Sequence, residues 1–282
     1  MESTCVQTQG ATGQSLIIFI GDPETGMYQV MKAIPAIDSI WPSQIWNSAR
    51  SLAEVPAIKF DMLVPAGSRA VIVAPHPGDE VIATGGLLQV LAHHGHPIEL
   101  ISVSDGSASH PGSEVWPERR LSVFRPQESA EALRRLGLPL HSLKWIRGGF
   151  ADRALSEREH QLVPFISRYL RPGDVVFSTW RADGNLDHEA VGRAAAKAAA
   201  QMGACFHEIP VWAWHWSPRE EHQIPWHRAR KLRLDTWTVA RKRHAAHAYA
   251  SQLQGEPEIG LEPSLSPVVL ERLRLPYEII LM

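Results

Sequence analysis

Two short stretches of this 282-residue chain carry residue types that can do chemistry together: Pro75-His76-Pro77-Gly78-Asp79-Glu80 and Asp183-Gly184-Asn185-Leu186-Asp187-His188. Catalytic zinc takes three protein ligands drawn from His and Asp/Glu and keeps one position open for water. His76 and Asp79 stand three residues apart, so across a strand–helix junction both side chains can aim at one point. His188, arriving from a neighbouring strand end, completes the set. An ion held there brings the pKa of its bound water to ~7 and polarises an amide carbonyl. Simpler roles compete at this point. Asp79 also suits the N-cap of a following helix, and His188 suits an exposed helix start.

The elements around these stretches decide whether they meet. Ala70–Ala74 (AVIVA) is a continuous run, as expected of a strand buried on both faces of a parallel sheet. Helix signals run from Glu80 to His94 and stop at Gly95. Strand and helix then alternate: strand Ile98–Val103, helix Pro117–Leu136 with Pro126 inside it, strand Leu143–Ile146, helix Ser156–Leu170. Strand Asp174–Ser178, helix Glu189–Met202 and strand Phe206–Trp214 follow, with further helices over Thr238–Gln252 and Val268–Leu273. This order predicts an α/β fold, a Rossmann-like, mostly parallel sheet with helices on both faces. Ligands of such sheets bind beyond the carboxyl ends of the strands, so the loops after Ala74, Val103 and Ser178 should converge. Residues 1–15 read as a disordered tail, 16–68 as an N-terminal extension packed on the main domain, and 69–282 as that domain.

Composition narrows the class. Hydrophobic residues make up 44%, enough for a large core. The net charge of −2 argues against a nucleic-acid binder, and Cys5 and Cys205 make neither a disulfide framework nor a thiolate zinc module, which fits the cytoplasm. The longest apolar runs, such as Leu16–Ile20, are too short for a transmembrane segment, and no signal peptide is visible.

The sequence APHPGDE after a buried strand, then TGGLL, then a strand and a Asp105-Gly106 loop, resembles the PIG-L/LmbE-like deacetylases. Arg125 and Glu128 ahead of Ala-Leu-Arg-Arg-Leu-Gly and a late Ala250-Ser251-Gln252 extend the resemblance, which runs from Arg69 to Gln252. That family is zinc-dependent and acts on N-acetylglucosaminyl compounds and related small N-acyl substrates. The resemblance implies His76, Asp79 and His188 as ligands of one zinc, or another divalent ion, per chain. It implies Arg125 as a substrate contact, Asp152 as a looser match to a substrate-contacting acid, and Asp187 as a carboxylate that orients a histidine. By analogy it implies a homo-oligomer.

Two departures matter more than the matches. The family loop reads P-H-P-D-D-E, and its first Asp is the general base and acid; here that position is Gly78, which can move no proton. Such catalysis is typically worth ~10²–10⁴-fold. The first His of the family's H-P-D-H loop steadies the oxyanion. Here it is Asn185, whose amide N–H₂ can still donate. Glu80 and Asp183 are the nearby carboxylates that could take over, although a helix aims Glu80 away. The expected function is removal of an N-acyl (acetyl) group from a small, sugar-linked molecule at reduced rate. The competing reading is an impaired zinc-binding relative that binds ligands or regulates partners.

Other signals have plainer readings. Gly85-Gly86 lies inside a helix rather than in a phosphate loop, which argues against a nicotinamide dehydrogenase. No serine has a base at motif spacing. Arg228–His244 reads as a solvated basic helix face. Trp212, Trp214 and Trp216 alternate as if on one face of a strand, under the extension or at the rim of a sugar pocket.

Overall fold

A computed structural model describes residues 19–22, 27–30, 50–141, 143–215 and 223–282. Strands β1 (Phe19–Asp22) and β2 (Met27–Val30) pair antiparallel in a sheet of their own. The rest of residues 16–49, and the tail before them, lie outside the described residues.

The main sheet is built from β3 (Ala57–Ile58), β4 (Ala70–Ala74), β5 (Ile98–Ser104), β6 (Lys144–Phe150), β7 (Val175–Thr179), β8 (Cys205–Ile209), β9 (Ala229–Arg233) and β10 (Tyr277–Leu281). Their order is β3-β9-β10-β8-β7-β4-β5-β6. Only β10 runs against the others. The chain steps outward from β4 through β5 to β6, then returns to lay β7 on the opposite flank of β4. Strand order reverses there, and the crevice beyond the carboxyl ends of β4 and β7 is where such sheets bind ligands.

Alternation along the strands explains the two layers. Ala70, Ile72 and Ala74 face one side of the sheet with Leu100 and Phe177, under helices α3 (Asp79–His93), α4 (Glu118–Arg135) and α7 (Thr236–Ala246). Val71 and Val73 face the other side with Ile101 and Val176, under α5 (Glu159–Ser167) and α6 (Leu186–Met202). The small face of α6, Ala190, Ala194, Ala195 and Ala198, is fully buried and lets the helix lie close to the strands. Gly86 does the same for α3: a Cβ there would stand 2.5 Å from Leu234.

Three parts of the sequence reading are corrected. The strand expected over Phe206–Trp214 ends at Ile209, and Trp212–His215 forms a 3-10 turn. Trp212 and Trp214 therefore share no strand face, and Trp216 lies outside the described residues. The basic stretch after Arg228 is not one solvated helix; it begins as strand β9, pinned between β3 and β10. Residues 50–64 are woven into the main sheet through β3 and bury Leu63 and Val64 in the α3-side core, while Leu52 and Val55 of α1 (Arg50–Glu54) pack with Trp214 and Leu281. The boundary drawn at residue 69 thus separates an edge strand from its own sheet. Among the described residues no helix is long and apolar enough to cross a membrane.

Candidate metal centre

His76 leaves the end of β4, Asp79 opens α3, and His188 sits in the first turn of α6. The turn between strand and helix depends on Gly78, the N-cap of α3, whose φ of 115° suits few residues with a side chain. Asn185 caps α6, its side-chain oxygen accepting the N–H groups of Asp187 and His188. That cap turns His188 inward toward β4.

The three side chains meet. His76 Nδ1 lies 3.3 Å from His188 Nε2, and Asp79 Oδ2 lies 3.4 Å from each of those nitrogens. Three corners of a tetrahedron with bonds of ~2.0–2.2 Å stand ~3.3–3.6 Å apart, so the triangle has the edge length zinc requires. Two imidazole nitrogens facing each other at this distance beside a carboxylate are a donor set that a divalent cation satisfies. His188 is 3% exposed while His76 and Asp79 are each 14% exposed, so the triangle opens to solvent on one side.

The surroundings fix both rings. His188 Nδ1 is 2.8 Å from Asp183 Oδ2. Asp183 is fully buried and also accepts the N–H groups of Val211, Trp212 and Ala213 at 2.7–3.1 Å. The Trp212 ring stands edge-on to His188, centroids 6.3 Å apart. His76 Nε2 faces two carboxylates, Asp152 Oδ1 and Asp187 Oδ2, each at 3.2 Å. Asp187 in turn accepts the N–H groups of Arg153 and Leu155. Arg153 reaches it from a left-handed φ of 61°, the only non-glycine positive φ among the described residues.

Protons bind tightly here when no metal does. Burial pushes the His188 imidazole down, but the charge of Asp79 and the bond to Asp183 outweigh it and lift it to about 9. Burial likewise opposes protonation of His76, and Asp152, Asp187 and Asp79 hold it well above the ordinary range. Asp79, pushed up by burial, is carried far below the carboxylate range by His188 and His76. A pH dependence follows. For His188, whose folded pKa is raised, the stabilisation is complete below the unfolded value of ~6.5 and is lost as pH rises through about 9. Metal-free protein is expected to melt progressively earlier across that interval, whereas zinc affinity should climb because each ring must shed its proton. Calorimetric melts with and without zinc at several pH values check both signs; a metal-free melting point that rises with pH would contradict the arrangement.

The remaining candidates occupy other roles. Arg125 is 4% exposed and donates to two carbonyls, Gly106 O at 2.7 Å and Pro77 O at 2.9 Å. It staples the loops after β4 and β5, with Nε left unpartnered. Asp152 faces His76 Nε2 at 3.2 Å and accepts the Ala108 N–H. Neither carboxylate considered as a replacement base is free. Glu80 is fully buried and accepts from Gly78 N and Tyr249 Oη, and Asp183 is saturated by its amide donors and His188.

The space beside Gly78 is filled as well. A Cβ there would lie 3.0 Å from Gln252 Nε2, which donates to Pro77 O at 2.7 Å. Gly78→Ala is therefore expected to lower stability by about 1–3 kcal/mol through its backbone alone. Urea denaturation measures this, and a neutral result would show that the turn relaxes. The Asp183 anchor, the Gln252 plug and the Trp212 edge were not marked by spacing in the sequence; only the position of Asp183 five residues before His188 hinted at a shared loop.

Comparisons with known proteins agree with this geometry. Residues 71–199 match the family described as GlcNAc-PI de-N-acetylase, PIG-L. Over a 144-residue alignment the chain is 30% identical to a 1D-myo-inositol 2-acetamido-2-deoxy-alpha-D-glucopyranoside deacetylase of Corynebacterium efficiens, covering 44% of this chain and 45% of that protein. Over 137 residues it is 26% identical to a probable N-acetyl-alpha-D-glucosaminyl L-malate deacetylase 2 of Bacillus cereus, covering 46% and 60%. The chain thus spans about half the length of these curated relatives. The fold is shared with the N,N'-diacetylchitobiose deacetylase from Pyrococcus horikoshii (TM-score 0.55, 18% identity, 83% of this chain and 89% of that one). It is shared too with the zinc inhibited form of a teicoplanin deacetylase (TM-score 0.55, 19% identity, 76% and 97%). The strand order and the switch point belong to the fold these structures share, and residues 71–199 carry the match to the PIG-L family.

Proposed function

We propose that this protein is a metal-dependent hydrolase that removes an acetyl group from the nitrogen of a small, sugar-linked substrate, with a weakened proton-transfer apparatus. The observation that carries the reading is the triangle of His76, Asp79 and His188, 3.3–3.4 Å on each edge, at the switch point of the sheet. The curated relatives, named as deacetylases of N-acetylglucosaminyl compounds, supply the substrate class.

His76 Nδ1, His188 Nε2 and Asp79 Oδ2 would hold one zinc or a similar divalent ion. Bound there, the ion supplies Lewis acidity toward a carbonyl and a water of lowered pKa. The chain's own residues do the rest. Asp183 presents the Nε2 lone pair of His188 by taking the hydrogen of Nδ1. Asp152 and Asp187 do the equivalent for His76 at Nε2. Asn185 spends its side-chain oxygen on the α6 cap, which leaves its N–H₂ for a developing oxyanion.

Among the described residues, the group nearest a Cβ on the Gly78 side is not a carboxylate that could accept a proton there. The Gln252 carboxamide occupies that side, and an amide neither takes nor gives a proton at neutral pH. This favours slow turnover, and it keeps a second reading in view: a domain that binds metal and ligand without efficient hydrolysis.

The test is acetate release from N-acetylglucosaminyl-inositol, N-acetylglucosaminyl malate and N,N'-diacetylchitobiose, with metal content measured on the same preparation. Slow release that stops on chelation and returns with zinc is expected. Release unaffected by chelation refutes the metal role, and zinc uptake without any release establishes the second reading.

A further inference from the structure

Segment 209–214 faces two ways. Its amides and the Trp212 ring support Asp183 and His188. Ile209, Pro210, Val211 and Trp214 also line a separate, partly open cavity of about 60 Å³, bounded by α3, α7, β10 and helix α9 (Pro267–Arg272). Three charged side chains reach this cavity: Lys242, Glu278 and Arg272.

Two of them are satisfied. Lys242 Nζ donates to Glu278 Oε1 at 2.5 Å, and Glu278 also takes the N–H groups of Gly86 and Leu87 at 2.7 and 2.8 Å. Arg272 is different. Its Nη1 is closed off from solvent and has no hydrogen-bond partner. Among the described residues it forms no ion pair. Its guanidinium carbon lies 3.3 Å over the Trp214 ring, so a cation–π contact holds the plane of the fork. Burial brings its pKa down to about 9, with Tyr277 acting weakly the other way. A half-buried cation with no counter-charge among the described residues is costly to keep, and a guanidinium with its face already stacked offers the accessible part of its fork to a planar anion.

The cavity limits what that anion is. Its other walls are apolar, with Ile82, Val211, Val269 and Leu273 among them. On this measure one water needs ~10–15 Å³, which leaves room for about four to six heavy atoms. Inorganic phosphate would place charged oxygens against the aliphatic walls. A short fatty acid would place its alkyl end there and its charge on the fork.

We propose that this cavity is a binding site for a small aliphatic carboxylate, of about two to four carbons, held at its charged end by Arg272. The site is built from residues outside the metal cluster and stands whether or not the hydrolase reading does.

Calorimetric titration of the full chain tests it, with acetate, propionate, butyrate, inorganic phosphate and the neutral isostere propionamide. Zinc-loaded and zinc-stripped protein are compared, because carboxylates also bind metals. Propionate is expected to bind equally in both metal states and to raise the melting temperature, and Arg272→Met is expected to weaken it by about 10-fold or more. Propionamide should give no binding, a control that needs no variant if Arg272→Met fails to fold. The proposal is overturned by absence of binding and melting shift in wild type, by binding that requires zinc, by binding that survives in Arg272→Met, by propionamide binding like propionate, or by phosphate binding more tightly than propionate.

Discussion

Alanine at His188 is expected to leave the purified, dialysed protein with less than about a tenth of a zinc per chain. The reasoning runs from geometry. His188 Nε2 is one corner of a three-donor triangle, and it is the most buried of the three. Its loss leaves His76 and Asp79 at 3.4 Å, a two-donor site open to solvent. The neighbouring carboxylates do not rebuild the triangle: Asp183 is spent on the amides of 211–213, and Asp152 and Asp187 lie at His76 Nε2, the ring nitrogen that faces away from it. Asp187→Asn should behave differently, weakening zinc by about 10- to 100-fold without abolishing it, because it disturbs a ring's orientation rather than a ligand. Elemental analysis and competition with a chelating dye separate the two. A His188→Ala protein that retains a full zinc would sink the assignment of the triangle.

Asp183→Ala is expected to be the most destabilising single change near the site, at about 3–5 kcal/mol. One carboxylate, 0% exposed, accepts three consecutive backbone N–H groups and the His188 ring hydrogen. Alanine leaves those donors facing an empty space, and each buried donor without a partner costs about 1–3 kcal/mol. The turn at Trp212–His215 should loosen, and Trp212 should lose its seat against His188. Asp183→Asn keeps one acceptor oxygen but aims an N–H₂ at donors, so it should recover little. Urea denaturation of metal-free protein reads the effect without interference from zinc. A loss under about 1 kcal/mol would mean that water replaces the carboxylate.

The stretch from Ala70 to Ile209 was legible because strand and helix periods alternate there without interruption, and the strands are runs such as AVIVA that only a doubly covered sheet accommodates. Placing His76, Asp79 and His188 at strand ends made their meeting foreseeable. The rest was hidden for physical reasons. The bond from Asp183 to the amides of 211–213 spans 28 to 30 residues and uses backbone donors, which leave no mark on residue identity. Strand β9, sequence ARKLR, buries only Ala229 and Leu232 and so shows no alternation to read. Trp212 and Trp214 imitate a strand period while lying in a 3-10 turn, because the segment is shaped by its bonds to Asp183 and not by its own propensity. The Gln252 amide beside Gly78 depends on a contact 174 residues apart in the chain.

Strand β3 hydrogen-bonds to β9 in the register Ala57↔Lys231, and β9 reaches the remaining strands through β10. On the ribosome, the unit from β4 to β8 can assemble before β9 and β10 are made, since every strand in it finds its neighbours within the unit. Residues 50–58, α1 and β3, emerge first among these yet dock last, waiting through the synthesis of everything in between. Until then Leu52 and Val55, whose partners Trp214, Ala229 and Leu281 come late in the chain, stand bare on the nascent chain. They are the segment a translating cell would have to shield.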